Sequence, residues 1–494
     1  MTLGVKNIIL STINAKWIHP SLALRLLKAN LGSLEDSCEI IEFNLRQPLV
    51  EIIGVLTSAG SRILGISVSI WNNTATVRLL EELHKVWSST GKRPVVVLGG
   101  PEVSHLQPDA EIFRYADYVI RGEGEDAFRE LCENILANRL HNGQSSSVMP
   151  APQFTNAENA DVSKIKSGYH LYTDEDAAKK LIYVESSRGC PFNCEFCLSA
   201  VKEQGGALRE FPLEPFLAEM DVLIRRGVKT FKFLDRTFNV NIKRSLRIME
   251  FFLEKVKERK KRQDSLVVHF EMVPYLFPAE LREMLSRFPP ETLRLEIGIQ
   301  TLNGEAASRI KRSGGMGQSF TPEEELETLR FLRQKTTAII HADLIAGLPG
   351  EDLASFGKGF DNLWLALSDE EKPPAVTREL RAEIQLGILK LLPGAPIQRH
   401  NNAFRMRYNP APPYEVLETS VMSKDELKQV KNFARFWEII VNRNLSSDYI
   451  KKISGKPVFE KFMALSDSLY ARFGRNWGID RNELLEAVKN YEFI

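Results

Sequence analysis

Residues 181–200 read LIYVESSRGCPFNCEFCLSA, a short β-rich run that passes into a loop carrying Cys190, Cys194 and Cys197. Thiolates are the ligands that iron–sulfur clusters require. Three on one loop can hold three irons of a cubane and leave the fourth open to a small molecule. Structural zinc competes for the same pattern, but it wants four protein ligands, and neither a fourth cysteine nor a close Cys/His pair stands nearby. The other two of the five cysteines, Cys38 and Cys132, are remote from the triplet and from each other, so no disulfide framework is expected. The loop predicts a [4Fe-4S] centre on Cys190, Cys194 and Cys197.

The run before the loop is the first of six strand signals that alternate with helical patterns. The others are TFKFLDR (230–236), VVHFEMVP (267–274), LRLEIGIQ (293–300), AIIHADLIAGLP (338–349) and AEIQLGILKLLPG (382–394). This rhythm predicts a partial (β/α)6 TIM-like barrel over residues 181–396, with its chemistry at the carboxyl ends of the strands. A second alternation precedes it: NIILSTIN (7–14), CEIIEFN (38–44), RILGISVSI (62–70), PVVVLGG (94–100) and DYVIRGEGE (117–125). These predict a doubly wound parallel sheet over residues 1–140, with a ligand edge at Asn14, Ser67–Asn72, Gly99–Ser104 and Gly122–Glu125. The polar, proline-bearing stretch from 141 reads as a linker reaching to about 180. After Pro396 the strand signals stop, and 397–494 is expected to be a small, mostly helical domain, with PPYEV (412–416) as a turn leading into a helix. The fold class is thus α/β.

Composition excludes more than it suggests. Lys plus Arg number 65 against 64 Asp plus Glu, so no global field draws nucleic acid or an acidic membrane to the chain. The densest basic run, KVKERKKR (255–262), ends a helical pattern and reads as a solvated helix end. The opening MTLGVKNIILSTIN has neither a cleavage site nor a membrane-length apolar run, which gives the expectation of a cytoplasmic protein with no membrane partner.

The cysteine spacing, with the aromatic Phe196 just before the third cysteine and the position after the first barrel strand, resembles the radical S-adenosylmethionine (SAM) superfamily over about residues 182–395. The resemblance implies that the open iron chelates SAM and that reductive cleavage yields a 5′-deoxyadenosyl radical. It runs closest to the branch that includes oxygen-independent coproporphyrinogen oxidase, and on that branch's pattern the SAM contacts fall on Phe196, Asp235, Thr237, Glu271, Gln300, Arg312 and Asp343. Gly347, Pro349 and Gly350 are expected to shape a turn that brings backbone to the adenine.

The segments SVSIWNN, LGGPEVS and IRGEGE resemble the cobalamin-binding domain of cobalamin-dependent radical SAM enzymes, which implies cobalamin contacts at Ser67, Ser69, Trp71, Gly99, Gly100, Pro101, Glu102, Gly122 and Glu123. The D-x-H-x-x-G loop of corrinoid domains at large is absent, and His19 in NAKWIHP has no preceding aspartate to orient it. The expected state is base-off methylcobalamin without a histidine ligand, its lower face covered by Trp71 or a neighbour. No G-x-G-x-x-G follows the first strand, against a dinucleotide site. The absence of three further cysteines in the first domain sets aside the methylthiotransferases. The resemblance implies methylation of an unactivated carbon, or alternatively a cobalamin-assisted radical rearrangement, cyclisation or oxidation. It also implies an electron donor such as flavodoxin or ferredoxin, and a small-molecule, peptide or modified-nucleoside substrate.

Overall fold

The computed structural model describes residues 6–139, 151–201, 207–312, 314–315, 318–319, 321–368, 382–453 and 457–491. The chain divides into two compact units, Met1–Arg188 with Lys202–Lys232, and Gly189–Val201 with Phe233–Ile494.

In the first unit the five predicted strands appear as β1 (Ile8–Asn14), β2 (Cys38–Asn44), β3 (Ile63–Ser67), β4 (Val95–Gly99) and β5 (Tyr118–Arg121). All pair in parallel, in the order β2-β1-β3-β4-β5. Helices α1 (Leu22–Ala29), α2 (Leu49–Ser58), α3 (Asn73–Thr90) and α4 (Glu125–Leu136) make the crossovers. Strand β1 is buried at all seven positions, as a strand covered on both faces must be. One core holds Ile9, Ile66, Leu80, Leu83 and Trp87, the other Leu10, Leu24, Phe128 and Cys132, so the sheet is doubly wound. The chain order reverses between β1 and β3, which opens a ligand crevice at their carboxyl ends.

Part of the expected linker is structured. Gln153–Asn156 forms β6, parallel to β5, and a short helix, Asp174–Lys179, follows under a Thr173/Asp176 capping box. Its Asp176 meets the buried Arg25 guanidinium at 2.8 Å, and Arg25 also holds Glu42 at 2.8 Å. Residues 140–150 of that stretch lie outside the described residues. The unit also contains β7 (Ile182–Val184), and the division passes through β8 (Thr230–Phe233).

The second unit carries β9 (Val267–Met272), β10 (Leu293–Gln300), β11 (Ile339–Ala346) and β12 (Ala382–Ile388), paired in parallel in chain order. Before and between them run α5 (Ile242–Lys261), α6 (Ala279–Ser286), α7 (Pro322–Lys335) and α8 (Leu353–Leu367). All six predicted barrel strands are therefore strands, alternating with helices. The basic run 255–262 closes α5, its cations beside the carbonyl end of the helix dipole.

The region after 397 is helical in α9 (Lys424–Trp437), α10 (Val458–Phe473) and α11 (Arg481–Lys489). It shares a core with the barrel. Phe360 on α8 packs edge-on against Phe433 and Trp437 at 5.2 and 4.8 Å between ring centroids. PPYEV leads into a strand, Val416–Glu418, rather than directly into a helix, because Glu415 bridges to Lys390 and the chain pairs with Arg407–Tyr408. No described helix is long and apolar enough to cross a membrane.

Candidate functional site

At the carboxyl edge of the second unit's strands a cavity of about 200 Å³ is lined by Cys190, Cys194 and Cys197 together with Phe196, Thr237, Glu271, Gln300, Arg312 and Asp343. Residues drawn from six separate stretches of sequence thus face one space. Asp235 is the exception: at 1% exposure it is buried away from the lining, and its neighbours Arg236 and Thr237 face the cavity instead.

Strand pairing sets the polar row. Glu271 on β9 stands opposite Glu296 on β10, and Gly298 on β10 stands opposite Asp343 on β11, all pointing to the same side of the sheet. The register then slips between Gly298 and Gln300, and Gln300 takes a φ of +71°. This bulge folds the Gln300 amide over Gly298, where a side chain would lie 2.6 Å from its Nε2. Arg312 donates to the freed carbonyl of Gly298 and to the Tyr275 hydroxyl at 3.4 Å, while its Nε, fully buried, has no acceptor among the described residues. Burial alone would lower the affinity of Arg312 for its proton, but Tyr275, Cys194 and Glu325 more than offset it, so the guanidinium stays charged.

Cys190 and Cys194 are buried and Cys197 half-buried. Burial pushes the Cys194 thiol up, against the pull of Arg312. The Cys190 Sγ lies 3.6 Å from the Thr237 hydroxyl. No three His, Cys, Asp or Glu side chains among the described residues gather around a single ion position. The fit to an iron–sulfur cluster therefore rests on the chemistry of the donors, three thiols on one loop facing one cavity, with a buried cation to balance thiolate charge.

The loop is pinned by a residue that the sequence reading passed over. Glu195, between two of the cysteines and 1% exposed, accepts from Arg399 Nε at 2.7 Å and lies 2.9 Å from His400 Nε2 and 3.1 Å from Lys311 Nζ. Burial would raise this carboxyl, but the three basic groups hold it below the usual carboxylate range. The Glu195 amide and carbonyl also bond Ile310 and Ile397.

Phe196 lines a second cavity as well, of about 510 Å³, with Ile345, Leu386, Leu389, Leu392 and Ala434 among its walls. The glycine turn packs closely against other segments of this chain. A side chain on Gly347 (φ +86°) would meet Val416 at 2.5 Å, and one on Gly350 (φ +75°) would meet Arg309 and Phe404.

In the first unit the switch-point edge is built by small residues. Gly100 has a φ of +102°, and a Cβ there would fall 2.5 Å from the Val68 carbonyl oxygen. Ser67 stands beside Gly99 at the ends of β3 and β4, with its Oγ 3.1 Å from that Cβ position. The Ser69 amide donates to Asn72 Oδ1 at 2.8 Å, and the Asn72 amide group donates to the Ile13 carbonyl at 3.0 Å, tying this loop to β1. Trp71 is 53% exposed, and Trp17, Ile18 and Leu45, which follow β1 and β2, are exposed too. No motif marks these three, although each lies just past a strand end.

Pro101 follows Gly100 at the same edge and is exposed. Gly122 donates its N–H to Ser104 Oγ at 3.2 Å. Protein groups engage the two expected carboxylates. Glu102 is buried and accepts from Asn73 at 2.8 Å, and Glu123 pairs with Arg188 at 3.0 Å and with Arg209. His19 is held by the Tyr183 hydroxyl at 2.8 Å, and burial, with help from Lys16 and Lys232, lowers its proton affinity.

Residues 9–132 match the B12 binding domain family, and residues 184–361 match the radical SAM superfamily. The chain thus carries a B12 binding domain ahead of a radical SAM domain. More particularly, its fold is that of OxsB, a cobalamin-dependent SAM radical enzyme, with a TM-score of 0.64 at 14% identity over 98% of this chain and 78% of that one. The radical SAM methyltransferase TsrM from Kitasatospora setae aligns with a TM-score of 0.58 at 17% identity, over 82% of this chain and 79% of that one. In sequence the chain is 32% identical over 190 residues to the uncharacterized methyltransferase PH0819 of Pyrococcus horikoshii, 35% of this chain and 41% of that protein. The chain spans about half the length of the first curated relatives it matches.

Proposed function

We propose that the protein is a cobalamin-dependent radical SAM methyltransferase acting on an unactivated carbon. The observation that carries this reading is the shared cavity. Three thiols, a buried guanidinium and the strand-end groups Thr237, Glu271, Gln300 and Asp343 converge in a chain whose first unit matches a B12 binding domain. Methyltransferase names among the relatives favour methyl transfer over rearrangement.

Cys190, Cys194 and Cys197 would hold the cluster. Arg312 would pair the carboxylate of SAM, and Glu271 and Asp343 would accept from its ammonium and ribose hydroxyls. Phe196 borders both cavities, so it would mark the passage from the polar end of SAM to an apolar wall for the nucleobase formed by Ile345 and Leu389. In the first unit, Gly99 and Gly100 would let backbone approach cobalamin. Trp71, with Trp17, Ile18 and Leu45, would cover its corrin face, and His19, engaged by Tyr183, would leave the cobalt without a histidine. When bound, these groups supply a carbon radical and a methyl donor; the protein contributes placement and a water-poor cavity. A low-potential donor such as flavodoxin or ferredoxin would supply electrons, in keeping with a cytoplasmic setting.

The test is anaerobic reconstitution with iron, sulfide and cobalamin, followed by SAM, reductant and candidate substrates. The expected result is both 5′-deoxyadenosine and S-adenosylhomocysteine, with a product heavier by one methyl group. 5′-Deoxyadenosine with an unmethylated product would move the assignment to rearrangement or oxidation.

A further inference from the structure

The ion pairs around Glu195 leave a charge imbalance on the outer side of the cysteine loop. Along 304–312 and 396–418, Glu305, Glu415 and Glu418 each face a cation, Arg309, Lys431 and Arg407 respectively. Lys311 and Arg399 share the single carboxylate of Glu195. That carboxylate is buried, with 1% of its side chain exposed, whereas each of the two cations has 53% exposed. Arg405, in the turn that follows Arg399 and His400, is exposed, and its guanidinium has no acceptor among the described residues. The negative charge that organises these cations is thus hidden, and the surface they present is positive. It overlies the peptide that joins Cys194 to Cys197.

We propose that this patch, Lys311, Arg399 and Arg405 over Glu195, is the docking surface for an acidic one-electron donor protein that reduces the group held by the cysteines. The proposal rests on the cluster assignment made above and adds where the reductant binds. In the step, the reduced donor loses one electron and the oxidised cluster gains it; no covalent bond forms or breaks and no proton moves. Opposite charge steers association and makes it depend on salt, and attachment at the Glu195 peptide places the donor beside two of the three cluster ligands. A merely structural role for these cations would affect all reductants alike.

Flavodoxin is the probe. Its oxidised form should bind the reconstituted protein in low salt and weaken steeply as ionic strength rises. Arg405→Glu should raise the flavodoxin concentration needed for half-maximal SAM cleavage about tenfold, while cleavage driven by dithionite changes less than twofold. Arg399→Gln, which keeps a donor for Glu195, should weaken flavodoxin binding in the same direction. Flavodoxin binding that is unaffected by salt and by both substitutions would overturn the proposal, as would an equal loss with flavodoxin and dithionite. Because binding is measured apart from cleavage, a wild-type protein that binds flavodoxin through this patch but cleaves no SAM with either reductant would sink the enzymatic reading and leave the docking surface standing.

Discussion

The two carboxyl edges of this chain solve ligand binding by opposite means. The first unit's edge is made by backbone and apolar side chains: Gly100 pressed against Val68, hydroxyls at Ser67 and Ser69, and the exposed rings of Trp17 and Trp71. Its carboxylates are taken up by protein partners, Glu102 by Asn73 and Glu123 by Arg188 and Arg209. The second unit's edge instead gathers thiols, carboxylates, an amide and a buried guanidinium into about 200 Å³. A shape-built edge suits a large flat ligand held by area and close approach, whereas a charge-built one suits a small ionic ligand held by directed bonds. Substitutions at the two edges should therefore fail in different ways.

The largest effect should come from Cys194→Ala. With one of three ligands gone, SAM cleavage should fall roughly a thousandfold or more, equivalent to about 4 kcal/mol of barrier. Iron–sulfide absorption should collapse with it, while cobalamin affinity, read from the change in the cobalamin spectrum on binding, stays within about twofold. Loss of cobalamin binding in the same variant would show that the two edges are not independent. Gly100→Val is the mirror test and should be weaker. The positive φ alone costs about 1–3 kcal/mol in a side-chain residue, and the added carbon meets the Val68 carbonyl. Cobalamin affinity should fall about tenfold to a hundredfold, with cluster content and SAM binding unchanged. A normal cobalamin affinity would mean that this edge does not hold the cofactor.

The contrast also explains what could be read from the chain directly. Thiol spacing is a local property, so Cys190, Cys194 and Cys197 were legible at once, and every predicted strand survived because buried parallel strands leave long β-branched runs. Gly100 was legible for the same reason, since only glycine tolerates its backbone. What the sequence hides is partnership across distance. Nothing local distinguishes Glu123, engaged by Arg188 and Arg209, from Glu271, which faces the cavity. Nor does the position of Asp235 beside Thr237 tell that one side chain is buried away while the other lines the site. Glu195 was invisible because its three partners lie more than a hundred residues later, and β6 because a single Phe154 among three polar residues makes no apolar alternation.

The smallest effect is the one that most sharpens the comparison, because its sign differs between the edges. Glu351 follows the glycine turn after β11; it is 1% exposed, accepts from Thr301 at 2.7 Å, and its other oxygen has no partner among the described residues. Burial pushes its carboxyl up to about 7. The native state therefore holds this proton more tightly than the unfolded chain does. Local stability should fall as pH rises from about 4.5 to about 7 and stay level above, by at most about 3 kcal/mol. Glu123 behaves in the reverse sense. Burial would raise it, but Arg209 and Arg188 hold it below its ordinary value, so its contribution is present near neutral pH and is lost on acidification. Hydrogen exchange in peptides spanning Ile339–Ala346 and Tyr118–Arg121 reads the two edges separately. Glu351→Gln should slow exchange in the first peptide at pH 8 and leave it nearly unchanged at pH 5. Glu123→Gln should speed exchange in the second at pH 7, with the difference shrinking as the pH falls. If Glu351→Gln speeds exchange at pH 8, the carboxylate is charged and satisfied in the native state, and the contrast between a charge-built edge under strain and a shape-built edge with its charges paired would no longer hold.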